Sequence, residues 1–187
     1  MRRHVVAAVR MLIVLTVLTG IVYPLGVLAV ARVGFAQRAE GSLVRVGGRV
    51  VGSALLGQRF DGPQWFHPRP GAYDPALSGA SNLATTNPEQ QAEIAARAAA
   101  IRAVAPGAGA LPADALTGSG SGLDPDVSIA YARLQAPRVA AARGLPLARV
   151  RALVEAQTQG RTFGFLGEPR VNVLLLNLAL EGLASSV

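Results

Sequence analysis

Met11-Leu-Ile-Val-Leu-Thr-Val-Leu-Thr-Gly-Ile-Val-Tyr-Pro-Leu-Gly-Val-Leu-Ala-Val-Ala31 contains no charged residue. At about 1.5 Å per residue a helix of this length covers roughly 30 Å, the thickness of a bilayer's hydrocarbon core. The run predicts a membrane-spanning helix over residues 11–33, with a short N-terminal tail at 1–10 and a soluble domain at 34–187. Gly20, Pro24 and Gly26 weaken its second half, which is tolerable where a neighbouring helix packs closely. A cleaved signal peptide is the competing reading, since Arg2, Arg3 and Arg10 form a basic start and Ala29-Val30-Ala31 resembles a cleavage site. The apolar run is longer than a usual signal core of roughly 7 to 15 residues, which favours an anchor.

Charge counting leaves the orientation open. Arg2, Arg3 and Arg10 on one side face Arg32, Arg38, Arg45 and Arg49 on the other. Long domains cross membranes largely regardless of charge, so the tail is expected in the cytoplasm and the large domain outside it.

The 187 residues allow one ordinary domain besides this segment. All 18 basic residues are arginine, and the net charge is +7. These arginines are scattered, without the dense basic run or interleaved aromatics of a nucleic-acid strip, so no nucleic-acid partner is expected. The lack of cysteine excludes disulfides, zinc–thiolate sites and thiol catalysis.

Beyond the helix, Leu43, Val44 and Val46 lead through Gly47-Gly48 to Val50 and Val51, the pattern of a hairpin over 42–56 with a tight glycine turn. Residues 57–87 read as a long loop broken by Pro63, Pro68, Pro70, Gly71 and Pro75. A helix follows Asn87, which can cap it, with Pro88 at the first helical position and Gln90 at the capping-box spacing. Ile94, Ala98, Ile101 and Ala105 share one face, and Pro106-Gly107 ends the helix. A second irregular stretch, Gly118–Pro125, precedes a helix capped by Ser128 and running to Arg143-Gly144, which Pro137 is expected to kink or divide. Leu147, Val150, Leu153 and Val154 form an amphipathic stripe, and Val171-Asn172-Val173 reads as a short strand entering a last helix. The fold class is α+β: one transmembrane helix followed by a single mixed extracytoplasmic domain.

Chemistry is sparse. His4 and His67 are the only histidines, so an imidazole metal site cannot be assembled from one chain. Gly120 occupies the centre of Gly118–Gly122, where a nucleophile elbow carries serine, and no lysine exists for a Walker-type phosphate loop. No catalytic residue and no metal ligand is assigned. The Gly/Ser-rich loop reads as a connector or as a source of backbone amides for an anion, and Asp124-Pro125 as a helix lead-in.

Several blocks are nevertheless specific in their order. They are Gly52-Ser53-Ala54-Leu55-Leu56-Gly57-Gln58 with Phe60, Trp65-Phe66-His67, Arg69-Pro70, Leu77-Ser78-Gly79-Ala80-Ser81-Asn82-Leu83 and Thr86-Asn87-Pro88. Ser119-Gly120-Ser121-Gly122-Leu123-Asp124-Pro125, Arg138-Val139-Ala140 and Gly167-Glu168-Pro169-Arg170-Val171-Asn172-Val173 follow, then Leu176-Asn177-Leu178-Ala179-Leu180. Along nearly its whole length the chain resembles the C subunit of the bacterial Kdp potassium-transporting P-type ATPase.

This resemblance implies a non-catalytic subunit of a high-affinity, ATP-driven potassium uptake pump in the bacterial inner membrane. It implies three partners: a channel-like potassium-translocating subunit, a P-type ATPase subunit and a small membrane subunit. The soluble domain is then expected on the periplasmic face over the ion entrance. Family descriptions propose a catalytic chaperone that raises the ATPase subunit's affinity for ATP and compare the Ser78-Gly79 region with the signature of ABC transporters. Ala80 here replaces a usual glycine, and Ser81-Asn82 stands where that signature has glutamine. ATP and nucleotide binding therefore belong to the level of the complex, and potassium is the transported ion. The residues the resemblance offers for partner or nucleotide contact are Arg69, Pro70, Ser78, Gly79, Ser81, Asn82, Asn87, Ser119, Ser121, Gly122 and Asp124. For the serines and asparagines among them, a loop that satisfies its own backbone is the alternative. An envelope adaptor or ligand-binding domain unrelated to potassium, or a secreted hydrolase cleaved near Ala31, are the competing functions.

Overall fold

The structure is a computed structural model and describes residues 1–184. The apolar run forms a continuous helix, Arg2–Gly34, that begins earlier than expected. Its parts are α1 (Arg2–Val17), a π-helical turn (Leu18–Val22) and α2 (Tyr23–Gly34). The wide turn has a local cause. Pro24 offers no N–H to the Gly20 carbonyl and its ring would collide with it, and a register wider by one residue relieves that clash. Thr19 hides its hydroxyl by donating to Leu15 O at 2.7 Å. Among the described residues none buries the most apolar stretch of this helix, and the helix is long and apolar enough to cross a membrane.

A short helix, α3 (Ala36–Ala39), leads to the expected hairpin of β1 (Leu43–Val46) and β2 (Arg49–Ser53). Gly47 and Gly48 both take positive φ, 56° and 80°, the backbone that a two-residue turn of matching twist requires. The chain divides into two compact units, Met1–Val51 and the remainder from Gly52.

In the second unit, α4 (Pro88–Val104) starts where Asn87 places it. Its Oδ1 accepts from the N–H groups of Glu89 at 2.8 Å and Gln90 at 3.4 Å. The reciprocal half of a capping box is replaced: the Asn87 N–H donates to Ala84 O instead of to the Gln90 side chain. One turn, α5 (Ala113–Leu116), precedes β3 (Asp126–Ser128) and α6 (Ile129–Arg143). Ser128 caps α6 by accepting from Tyr131 N at 3.0 Å, and its own N–H and hydroxyl donate to Asp114. Contrary to a division at Pro137, α6 runs through it. The missing N–H costs the Arg133 carbonyl one partner on an exposed part of the helix surface.

Gly144 ends α6 at φ 64°, with its N–H and that of Leu145 returning to Ala141 O and Ala140 O. This left-handed closure is open to glycine at little cost. It turns the chain into α7 (Leu147–Ala156), whose Val150 and Val154 are fully buried. The strands β4 (Thr158–Gln159) and β5 (Arg170–Asn172) complete an antiparallel sheet of order β3-β5-β4, and α8 (Val173–Ala184) follows at once. Small residues Ala132, Ala136 and Ala140 line the buried side of α6 and let α7 and the sheet approach closely. With Val139, Val171, Leu176, Leu180 and Phe66 they make the core.

Candidate functional site

The segment 57–87 has no helix or strand, yet it is fixed from outside by side-chain amides. Asn177 on α8 accepts from Phe66 N and donates to Phe66 O, both at 2.9 Å, while Gln135 on α6 does the same for His67 at 2.7 and 3.0 Å. These two amides take the place of a strand partner, and Phe66 fills the core with no exposed surface. Arg138 donates to the carbonyls of Pro63 at 2.6 Å and Trp65 at 2.9 Å, and the Arg143 guanidinium lies 4.3 Å over the Trp65 ring. Burial holds the His67 imidazole below its usual pKa, against the Gly62 carbonyl that favours the charged form and with the Arg138 charge adding to the depression. His67 Nε2 lies 2.8 Å from Gly62 O, so the imidazole is tied to backbone.

The second half of this segment meets the loop 117–126. Gly79 N donates to Ser121 O at 2.9 Å, and the Ser78 hydroxyl donates to the same oxygen at 3.1 Å. Ser121 Oγ in turn accepts from Leu123 N at 3.1 Å. Two glycines permit the contact. Gly122 has φ 67°, and a Cβ there would sit 2.8 Å from Gly79 O; one on Gly57 would sit 2.4 Å from Asp124 O.

Arg69 is the hub of the clasp. Its guanidinium donates to Gly118 O at 2.7 Å and Thr117 O at 3.3 Å, and pairs with Asp124 at 3.2 Å. Tyr73 donates to Arg69 O at 2.8 Å, and burial, with the Asp124 charge, raises its pKa so that the hydroxyl stays protonated and donating. Beneath Asp124, Asp126 pairs with Arg170 at 2.9 Å and accepts from Asn172 at 3.1 Å. Burial nonetheless raises the Asp126 pKa, because desolvation outweighs both partners.

The eleven residues singled out from the sequence thus fall into three groups. Pro70, Gly79, Ser81, Asn82, Ser119 and Gly122 line one groove of about 430 Å³, with Arg97 and Glu93 of α4 on its far wall. Arg69 and Asp124 lie in an adjoining cleft with Asp114 and Arg170. The Ser78 hydroxyl is spent on the Ser121 carbonyl across the loops, the Ser121 hydroxyl on Leu123 N within its own loop, and Asn87 is a helix cap. Asn82 holds φ 54° on an exposed stretch of the loop. Among the described residues no three histidine, aspartate or glutamate side chains gather as a metal-holding group.

Sequence reasoning missed the amide clamps, Gln135 and Asn177, and Asn172, which caps α8 through Leu175 N at 3.1 Å and reaches Ala54 O at 2.9 Å. It also missed a cavity of about 600 Å³ beside α4 and α6, lined by Ile101, Val104, Tyr131, Leu134 and Arg138 among others. Buried amides at helical spacing on α6 and α8 were the only available signal, and they do not name their partners.

The groove and cleft form a polar, internally braced surface. Fixed hydroxyls, amides and backbone groups line it, the Ser128 hydroxyl among them held on the Asp114 carboxylate at 3.0 Å, an arrangement that suits recognition of another surface. The family described as "K+-transporting ATPase, c chain" matches residues 5–182. The "Potassium-transporting ATPase KdpC subunit" of Mycobacterium tuberculosis (strain H37Rv) is 49% identical over 189 residues, covering 98% of this chain and 100% of the relative. Proteins of the same name from Sorangium cellulosum and Caulobacter vibrioides are 53% and 54% identical, over 97% and 89% of this chain and 99% and 86% of their own lengths. This chain belongs to the KdpC family, the c chain of K+-transporting ATPases.

Proposed function

We propose that this protein is the accessory subunit of a high-affinity, ATP-driven potassium uptake pump, needed for its assembly and activity and anchored by a single membrane span. The carrying observation is the match of the KdpC family over residues 5–182, which includes both the apolar helix and the braced loops. Residues 1–10 form a cytoplasmic tail, 11–33 the span, and 34–187 a domain on the extracytoplasmic face of the inner membrane. A channel-like subunit, a P-type ATPase subunit and a small membrane subunit are its partners. The groove lined by Pro70, Gly79, Ser81, Asn82 and Ser119, with the Arg69–Asp124 clasp behind it, is the partner-facing surface.

The internal bonding of the loops supports a docking role over nucleotide binding. The Ser78 hydroxyl and the Gly79 N–H, which a signature-like motif would offer to phosphate, are directed at Ser121 O. ATP is also cytoplasmic, whereas the domain lies outside. Mild-detergent purification of the tagged full-length chain from its native membrane tests the assignment. Co-purification of a P-type ATPase and a channel-like protein is expected. Recovery of the chain alone would leave it an envelope adaptor. Saturable ATP binding by the purified full-length chain at about millimolar nucleotide would restore the nucleotide reading.

A further inference from the structure

The hairpin of β1 and β2 has no core of its own. Leu43, Val46, Val50 and Val51 are 39%, 50%, 48% and 38% exposed, and no residue from Leu43 to Val51 is buried. A lone two-stranded hairpin is marginally stable in water, so these aliphatic side chains call for a covering surface. The charge is equally one-sided. Arg32, Arg38, Arg45 and Arg49 stand against a single acid, Glu40. Among the described residues none of the four arginines makes an ion pair; Arg45 only touches Gly48 O at 3.4 Å. The hairpin also cannot travel far. Only residues 35–42 separate it from Gly34 at the end of the apolar helix. Even fully extended, at about 3.5 Å per residue, they reach roughly 28 Å, and the helical turn at Ala36–Ala39 shortens that.

We propose that residues 32–51 form a basic-apolar cuff that lies on the headgroup layer of an anionic bilayer, its arginines on lipid phosphates. The inference rests on the reading of residues 11–33 as a membrane span. Arginine forks match phosphate oxygens, and juxtamembrane basic residues are drawn to anionic lipid within about a Debye length of roughly 10 Å. A protein surface would need several carboxylates arranged around the hairpin to do the same. A bilayer offers phosphate on every side of a segment tethered beside it.

The chain has no cysteine, so Val14→Cys and Val50→Cys each give a lone nitroxide on the full-length protein. The two labelled proteins are placed in nanodiscs of phosphatidylcholine alone, or with about one-third phosphatidylglycerol, and the access of oxygen and of a water-soluble nickel complex is read. The label at 14 should sit in lipid in both discs. The label at 50 should move from water to the interface when phosphatidylglycerol is added. That shift should be lost in high salt and with Arg45→Gln and Arg49→Gln together, which should weaken the interfacial state about thirtyfold. Equal water access at 50 in both lipids, with 14 still in lipid, would overturn the cuff and leave the span intact. Water access at 14 as well would overturn both. A label at 50 that is shielded only when the other pump subunits are present would show that protein covers the hairpin, and would also overturn the proposal.

Discussion

Asn177 is 1% exposed and makes two hydrogen bonds to one residue more than a hundred positions away. Removing its amide leaves Phe66 N–H and C=O unpaired in the core. Asn177→Ala should therefore lower unfolding stability by about 2–4 kcal/mol. The single tryptophan, Trp65, sits next to the clamp under Arg143, and its fluorescence in a urea titration of the detergent-solubilised chain would report the loss. Gly122 and Gly120 form a matched pair. Gly122→Ala puts a Cβ on Gly79 O and forces a residue into positive φ, whereas Gly120 faces open space. The first substitution should cost about 1–3 kcal/mol and the second well under 1, measured the same way. His67 makes a prediction about pH. Its folded pKa is depressed by burial below the ordinary imidazole value of 6.5, so the unfolded chain binds more protons between the two pKa values. Stability should be level above pH 6.5 and fall as pH drops below it toward the folded pKa, a slope that His67→Gln should flatten.

Elements with local causes were legible in the sequence. Asn87-Pro88, Ser128 and Gly144 mark helix ends by their own chemistry, and each does so in the structure. Gly47-Gly48 fixed the hairpin, and the Val150/Val154 stripe fixed α7. Asn87→Ala should cost about 1 kcal/mol, with the loss confined to α4 as read by hydrogen exchange of its first turn. The two- and three-residue strands β3 and β4 were not legible, because nothing within them distinguishes them from loop. They exist through pairing with β5 across ten or more residues of intervening chain. The helix α6 was legible, but it is not divided at Pro137, which lies on an exposed face where water can meet the lost hydrogen bond. The loop 57–87 was recognised as a loop, but its shape was not, since Gln135, Arg138 and Asn177 supply its backbone partners from two distant helices.

At the scale of the whole molecule, the pattern of order explains why the resemblance was more informative than any single motif. The blocks that carry it are the parts that touch: Trp65-Phe66-His67 with Arg138 and Asn177, Ser78-Gly79 with Ser121-Gly122, and Arg170-Val171-Asn172 with Asp126. A candidate site read residue by residue mixed braces with surface. Ser78, Ser121 and Asn87 hold the loops, while Ser81, Asn82 and Ser119 line the groove. Substituting Arg69 by alanine, which frees Gly118 O, Thr117 O and Asp124 at once, should loosen the whole clasp and weaken co-purification with the pump. Ser119→Ala should leave the fold intact and affect only docking.

The most direct test is potassium-stimulated ATP hydrolysis by the pump purified with and without this chain, followed by adding the purified full-length protein back. Activity should be lost on removal and restored by the protein, and restored poorly by Arg69→Ala. Full potassium-stimulated activity in a pump lacking this chain would contradict that.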